Sequence, residues 1–119
     1  MRAFRKLKVW ERAHRLTLSL YGATKAFPRD ELYGLTAQIR RSASSVGANL
    51  AEGCGRKGDR EFGRFLYIAL GSASELEYHL VLAADLGYLD GPMAQRTGRE
   101  AIEVKRMLYG LISKLKADS

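Results

Sequence analysis

The chain is poor in residues that crosslink or interrupt a fold. Its 119 residues include one cysteine, two prolines and two histidines. With Cys54 alone no internal disulfide can form, which fits a reducing compartment. No stretch approaches the roughly 20 apolar residues of a membrane helix. The basic start from Met1 to Lys8 is not followed by the apolar core of a secretory signal. These absences lead to the expectation of a cytoplasmic protein with no membrane contact. No period-two alternation competes with helical spacing, and the scarcity of proline beside abundant Leu, Ala, Arg and Glu favours helix.

Four periodic segments are present. Trp10, Ala13, Thr17, Leu20, Thr24 and Phe27 share one helical face, and Pro28 stops the first segment. Asp30 and Glu31 open the second, where carboxylates suit the positive end of the helix dipole. Its stripe runs through Leu32, Leu35, Ile39, Ser42 or Ala43, Val46, and Asn49 or Leu50, and it terminates at Gly53. Asp59 is the expected N-cap of the third, whose stripe is Phe62, Phe65 or Leu66, Ala69, Ala73, Leu76, Leu80 and Ala83, closed by Gly87. The fourth follows Asp90-Gly91-Pro92 and carries Thr97, Ala101, Val104, Leu108, Leu111 and Leu115. The spacing predicts helices over about 7–27, 30–52, 59–87 and 92–116, within one domain spanning 1–119. Short links between long helices imply antiparallel neighbours. The predicted fold is all-α, an antiparallel up-down-up-down four-helix bundle.

Gly22, Gly34, Gly47, Gly63, Gly71, Gly98 and Gly110 fall inside these predicted helices. Close helix approach is the expected compensation, in the core or between subunits. Leu16, Leu18, Tyr67, Leu70 and Tyr109 lie off the main stripes and suggest a second buried face. Together they point to a homo-oligomer.

The net charge of +7 is unevenly placed. Residues 1–64 hold 14 Lys/Arg against 6 Asp/Glu, and residues 65–119 hold 6 against 7. A basic half suits an acidic partner, nucleic acid being the commonest. Charge that serves solubility alone is the other reading. Arg2, Arg5, Lys6, Lys8, Arg12 and Arg15 crowd the N-terminus. Arg40 and Arg41 lie on the second helix, and Arg56, Lys57, Arg60 and Arg64 run from the following loop into the third. Such groups neutralise phosphates without reading sequence.

Catalytic chemistry finds little to stand on. Gly53-Cys54-Gly55-Arg56-Lys57-Gly58 matches G-x-G-x-x-G, but a helix precedes it where a dinucleotide fingerprint needs a strand. Asp59 occupies the position where a Walker motif needs lysine. Basic neighbours could lower the Cys54 thiol pKa, though a lone cysteine is usually a bystander. Glu75 and His79 read as an ordinary i, i+4 pair rather than part of a di-iron set. The serines lack a nucleophile context. Asn49, near the apolar face, needs partners if buried and is expected to fix geometry near the loop. No cofactor, metal or small-molecule substrate is implied, and the protein is expected not to be an enzyme.

Four blocks in order carry a resemblance: Phe4-Arg5-Lys6-Leu7-Lys8-Val9-Trp10; Phe27-Pro28 with Glu31 through Arg41; Ser45 through Gly53; and Phe65 through Ser72, continuing to Tyr78. They resemble the four-helix-bundle proteins encoded by intervening sequences in bacterial 23S rRNA genes. Where that family often has Ile-Pro-Ala-Asn-Ile, this chain has Val46-Gly47-Ala48-Asn49-Leu50, without the helix-breaking proline. The resemblance covers nearly the whole chain. It implies a cytosolic bundle assembling into a ring, typically a homopentamer, with Asn49, Glu52 and Gly53 in its structural motif. More distant relatives are accessory proteins of diversity-generating retroelements, which bind a reverse transcriptase and nucleic acid through basic surfaces. By fold and charge that points to Arg40, Arg41, Arg56, Lys57, Arg60 and Arg64 as nucleic-acid contacts. The alternative is a scaffold whose basic face docks an acidic protein.

Overall fold

Helix begins where the sequence offers a start and ends where it offers a stop, but not always at the residues the pattern suggests. The computed structural model describes residues 2–118. Four helices, α1 (Lys8–Thr24), α2 (Leu35–Cys54), α3 (Asp59–Asp85) and α4 (Gly91–Ala117), form a bundle with principal extents of 46 × 22 × 20 Å. Among the described residues there is no strand. Short 3-10 turns at Phe4–Lys6 and Arg29–Glu31 precede α1 and α2.

The first connection is longer than the pattern predicts. α1 stops at Thr24 rather than at Phe27, and α2 starts at Leu35 rather than near Asp30. The carboxylates expected inside the first turn of α2 lie ahead of it. Glu31 still serves the helix from outside, because its Oε1 accepts the Leu35 N–H at 3.0 Å. Its Oε2 accepts the Tyr88 hydroxyl at 3.0 Å, tying this connection to the turn before α4. That hydrogen bond, burial, and the charges of Glu31 and Asp30 push the Tyr88 phenol up. Leu32, expected in the α2 stripe, sits in the turn and is half-exposed. Gly34 lies in this connection, not within a helix.

α2 runs unbroken through Val46–Leu50 and ends on Cys54. Gly58, with φ +80°, precedes α3 in a conformation that favours glycine. Gly58, not Asp59, occupies the N-cap, and Asp59 is the first helical residue. Asp90 caps α4 by accepting the Met93 N–H at 2.8 Å, with Pro92 in the first turn.

The core divides into two ends and a waist. At the end holding the α2–α3 loop, Leu50, Phe62, Leu66 and Leu108 are fully buried; at the other, Leu20, Ile39, Leu76 and Leu80. Between them each helix contributes one buried alanine: Ala13, Ala43, Ala73 and Ala101. Together with Leu16, Val46, Leu76 and Val104 they line a small void of about 10 Å³. Thr17 Oγ1 donates across the α1–α2 contact to the Ala43 carbonyl at 3.1 Å. Contact is most extensive between α2 and α3 and slightest between α1 and α4, with the helices meeting in cyclic order.

The off-stripe residues separate. Leu16 and Leu70 belong to the core, whereas Leu18, Tyr67 and Tyr109 are exposed. The helix glycines separate too. Gly47 faces the Trp10 indole and Gly63 faces Leu115, but added Cβ atoms at Gly22, Gly71, Gly98 and Gly110 would meet nothing within 4 Å. Close packing within this chain therefore does not account for those four.

The N-terminal segment straps the loop end. Arg2 N–H donates to the Cys54 carbonyl at 3.0 Å, its guanidinium meets Asp59 at 2.5 Å and lies 4.0 Å from the centre of the Phe62 ring. Beneath it Cys54 is 1% exposed. Burial pushes its thiol pKa up, with Arg2 opposing weakly.

Two measurements test this packing. Ala73→Leu overfills the waist and is expected to destabilise the fold by about 1–3 kcal/mol, read as a lower denaturant midpoint. Native Cys54 is expected to react with a thiol-alkylating reagent at pH 7 at least ~100-fold more slowly than in denaturant, because the neutral thiol must first be uncovered.

Candidate nucleic-acid interface

The α2–α3 loop projects basic side chains because Gly58 turns the chain sharply between two helix ends. Arg56 reaches back one turn to Glu52 at 3.0 Å and lies 5.2 Å from the Phe65 ring centre. Arg64 approaches the same ring, at 4.5 Å, and bonds Glu61 at 3.0 Å. Phe65 is itself buried. Its ring thus anchors two guanidiniums through cation–π contact while their outer edges stay in water. The Arg64 hydrogen bond, against slight burial, and the charges of Arg64, Arg56 and Arg60 hold the Glu61 carboxyl below its usual range. Three arginines therefore act on one carboxylate. Lys57 and Arg60 are exposed, and neither makes an ion pair among the described residues.

Beside this cluster an apolar groove opens between the start of α3 and the end of α4. Tyr67, Ile112 and Leu115 line it, with Arg60, Arg64 and Lys116 among its charged residues. Lys116 Nζ lies 5.4 Å from the Tyr67 ring centre. The helical pattern gave no reason to join Lys116 to residues 56–64, since only packing of α4 on α3 brings it there. Arg2 reaches this end of the bundle through the N-terminal segment, bonding the Cys54 carbonyl and Asp59.

Arg40 and Arg41 stand apart, roughly 20 Å from Arg56 along the α2 axis. Arg40 is half-buried and donates to Thr24 Oγ1 at 2.9 Å and the Tyr21 carbonyl at 3.3 Å. A cation there suits the negative C-terminal end of α1. Arg41 bonds Gln38 and forms an ion pair with Glu75 of α3, which in turn meets His79 at 3.2 Å. Burial raises the Glu75 pKa, but hydrogen bonds from His79 and Arg41 outweigh it and hold the carboxyl low. The six candidates thus divide into a cluster of four at the loop and two arginines bonded elsewhere.

Asn49 is half-buried and bonds one turn back rather than towards the loop. Its Nδ2 donates to the Ser45 carbonyl at 2.8 Å and to Ser45 Oγ at 3.0 Å, and Ser45 Oγ meets Ser72 Oγ of α3 at 2.8 Å. This short polar chain pins α2 on α3. Gly53 permits the same contact nearer the loop, because a Cβ there would stand 2.8 Å from Phe65 Cβ. Glu52 holds Arg56.

Among the described residues no group of three or more His, Cys, Asp or Glu could hold a metal ion. Nor, among these residues, is any helix long and apolar enough to cross a membrane.

The fold resembles the crystal structure of a protein with unknown function from the S23 ribosomal protein family of Bacteroides thetaiotaomicron, with a TM-score of 0.81 and 24% identity. The match covers 88% of this chain and 95% of that one. No curated protein matches the chain. Residues 5–110 match the family described as 23S rRNA-intervening sequence protein, and the chain belongs to that family.

Proposed function

We propose that this protein is a non-enzymatic, oligomeric four-helix bundle of the cytoplasm that contacts RNA or DNA phosphates through its loop end. The carrying observation is the convergence of Arg56, Lys57, Arg60 and Arg64 on one corner, with Arg64 and Arg56 braced against Phe65. Braced guanidiniums lose less side-chain entropy on meeting a phosphate. Arg40 and Arg41 are a lesser part of this surface, since they stand roughly 20 Å from Arg56 along the α2 axis.

We read the helices as antiparallel, up-down-up-down. Supporting contacts run in opposite chain directions: Ser45 meets Ser72 while Arg41 meets Glu75, and Gly63 meets Leu115 while Glu77 meets Lys105. We also read the working particle as a ring of identical chains, a pentamer. Tyr67, Ile68, Tyr78 and Val81 remain exposed along α3, beside the uncrowded Gly71. Repetition of the basic corner around a ring would multiply its affinity for a polyanion.

A second reading, a scaffold for an acidic protein, draws on the apolar groove beside the cluster. An acidic segment with apolar side chains would use both features at once.

A titration with single-stranded RNA and DNA at two salt concentrations tests the first reading. Binding is expected to weaken steeply with salt, and Lys57→Gln with Arg60→Gln to lower the log–log salt slope by about 2. Absence of binding at low salt overturns it; a partner that co-purifies after nuclease treatment favours the scaffold. Sedimentation is expected to give an integral multiple of the 13.3 kDa chain mass, five for the pentamer. A monomer at high concentration refutes the ring.

A further inference from the structure

The α1–α4 seam lies across the bundle from α2–α3 and is its least filled helix contact. Part of it is a groove of about 380 Å³ lined by Arg12, Arg15 and Ser19 of α1 and by Arg96 and Glu100 of α4. Residues 12, 15 and 19 recur at steps of three and four, so they share one helical face. Three guanidiniums are thereby gathered in one polar recess with a hydroxyl. None of the three belongs to the cluster at the loop.

The hydrogen-bond inventory of the groove is incomplete. Arg96 Nη2 donates to Ser19 Oγ at 3.1 Å and meets Met93 Sδ at 3.1 Å. With its oxygen accepting from Arg96, the Ser19 hydroxyl keeps its own proton to donate. Arg15 has only a long contact with Glu11, at 3.7 Å. Arg12 is half-buried, yet makes no hydrogen bond or ion pair among the described residues. Glu100, the one acid of the lining, forms no ion pair with Arg96 one turn before it. Three like charges around one groove repel one another, weakly where Arg15 and Arg96 are exposed, and the half-buried Arg12 guanidinium without an acceptor has lost part of its solvation. An ion with several acceptor oxygens reverses both penalties.

We propose that this seam groove binds a phosphate-class oxyanion, with Arg12, Arg15 and Arg96 as its cationic donors and Ser19 donating a hydroxyl hydrogen bond. Planar guanidiniums match the oxygen spacing of phosphate and can bond it in pairs. Glu100 lowers the net charge of the groove but leaves the guanidiniums in the majority; a simple carboxylate presents fewer acceptor oxygens to three guanidiniums and a hydroxyl than phosphate does. The anion can be free or carried on a nucleic-acid backbone, since the recognised chemistry is the same. The site does not rest on the loop-end interface, because it uses different side chains on another seam.

The test is thermal unfolding of the full chain with inorganic phosphate, pyrophosphate or chloride at constant ionic strength. Phosphate and pyrophosphate are expected to raise the midpoint by about 4 °C or more at saturation relative to chloride. Arg12→Gln with Arg96→Gln is expected to abolish most of that shift, and Arg15→Gln alone to weaken it. Lys57→Gln with Arg60→Gln is expected to leave it intact. In phosphate-free buffer Arg12→Gln is expected not to lower the midpoint, because it relieves repulsion; a purely structural arginine would lower it. Competition by a short oligonucleotide against phosphate in the wild type assigns the anion to a nucleic-acid chain, and lack of competition assigns it to the free ion, both with the groove occupied. No phosphate-specific shift, or a full shift in the Arg12/Arg96 variant, overturns the site. If the double variant fails to fold, Arg15→Gln with an unchanged shift does so as well. Loss of oligonucleotide binding at the loop end leaves this result standing, so the two readings fail separately.

Discussion

Close approach of four helices at one level governs the rest of the molecule. Ala13, Ala43, Ala73 and Ala101 meet at the waist, one from each helix, and each is almost wholly buried. The void left between them, also lined by Leu16, Val46, Leu76 and Val104, is only about 10 Å³, so a larger side chain at any of the four alanine positions has little room. Larger residues fill both ends, with Phe62, Leu50 and Leu108 on one side and Leu20, Ile39 and Leu80 on the other. Separation at the waist and filling at the ends together fix the helix axes. The polar chain Asn49–Ser45–Ser72 and the Gly53–Phe65 contact then hold α2 tightly on α3. With α2–α3 the most closely joined pair, the α1–α4 seam is left open enough for a groove.

Charge is divided between holding this arrangement and facing outward. Arg40 neutralises the end of α1, Arg41 reaches across to Glu75, and Arg2 straps the N-terminus over Cys54 and Phe62. These donors already have acceptors, so an external anion must displace them. Arg56 and Arg64 are paired as well, each with a carboxylate within its own helix region, and the shared Phe65 ring fixes their position at the surface. Exposed pairs of that kind contribute little stability and exchange readily for a phosphate. Counting cations by sequence treats all six candidates alike, whereas position and partners distinguish them.

Most of the helical content was legible because the signals are local. Period and punctuation located four helices, and the buried faces follow the stripes through Ala13, Ile39, Ala73 and Val104. The errors cluster at residues 25–34 and at Asp59. There the local chemistry was read correctly but assigned to the wrong position: Glu31 does cap α2, from the preceding turn, and Asp59 does suit a helix start, one residue inside Gly58. Leu32 looked like a core residue because apolar spacing cannot tell a helix from the turn that leads into it. The four-residue basic cluster was visible as a contiguous run, but the contributions of Lys116 and Arg2 were not, because each comes from a distant part of the chain.

The amino-acid sequence by itself determined the helices, the basic bias of residues 1–64 and the family, since propensity, charge and ordered motif blocks are properties of neighbouring residues. Only the tertiary structure decided which partners the cations have, that Leu16 and Leu70 are core while Leu18 and Tyr67 are not, and that Arg12 and Arg15 line one groove with Arg96. Those outcomes depend on how four helices rotate and settle against one another, which the shape of the alanine waist dictates and no single helix contains.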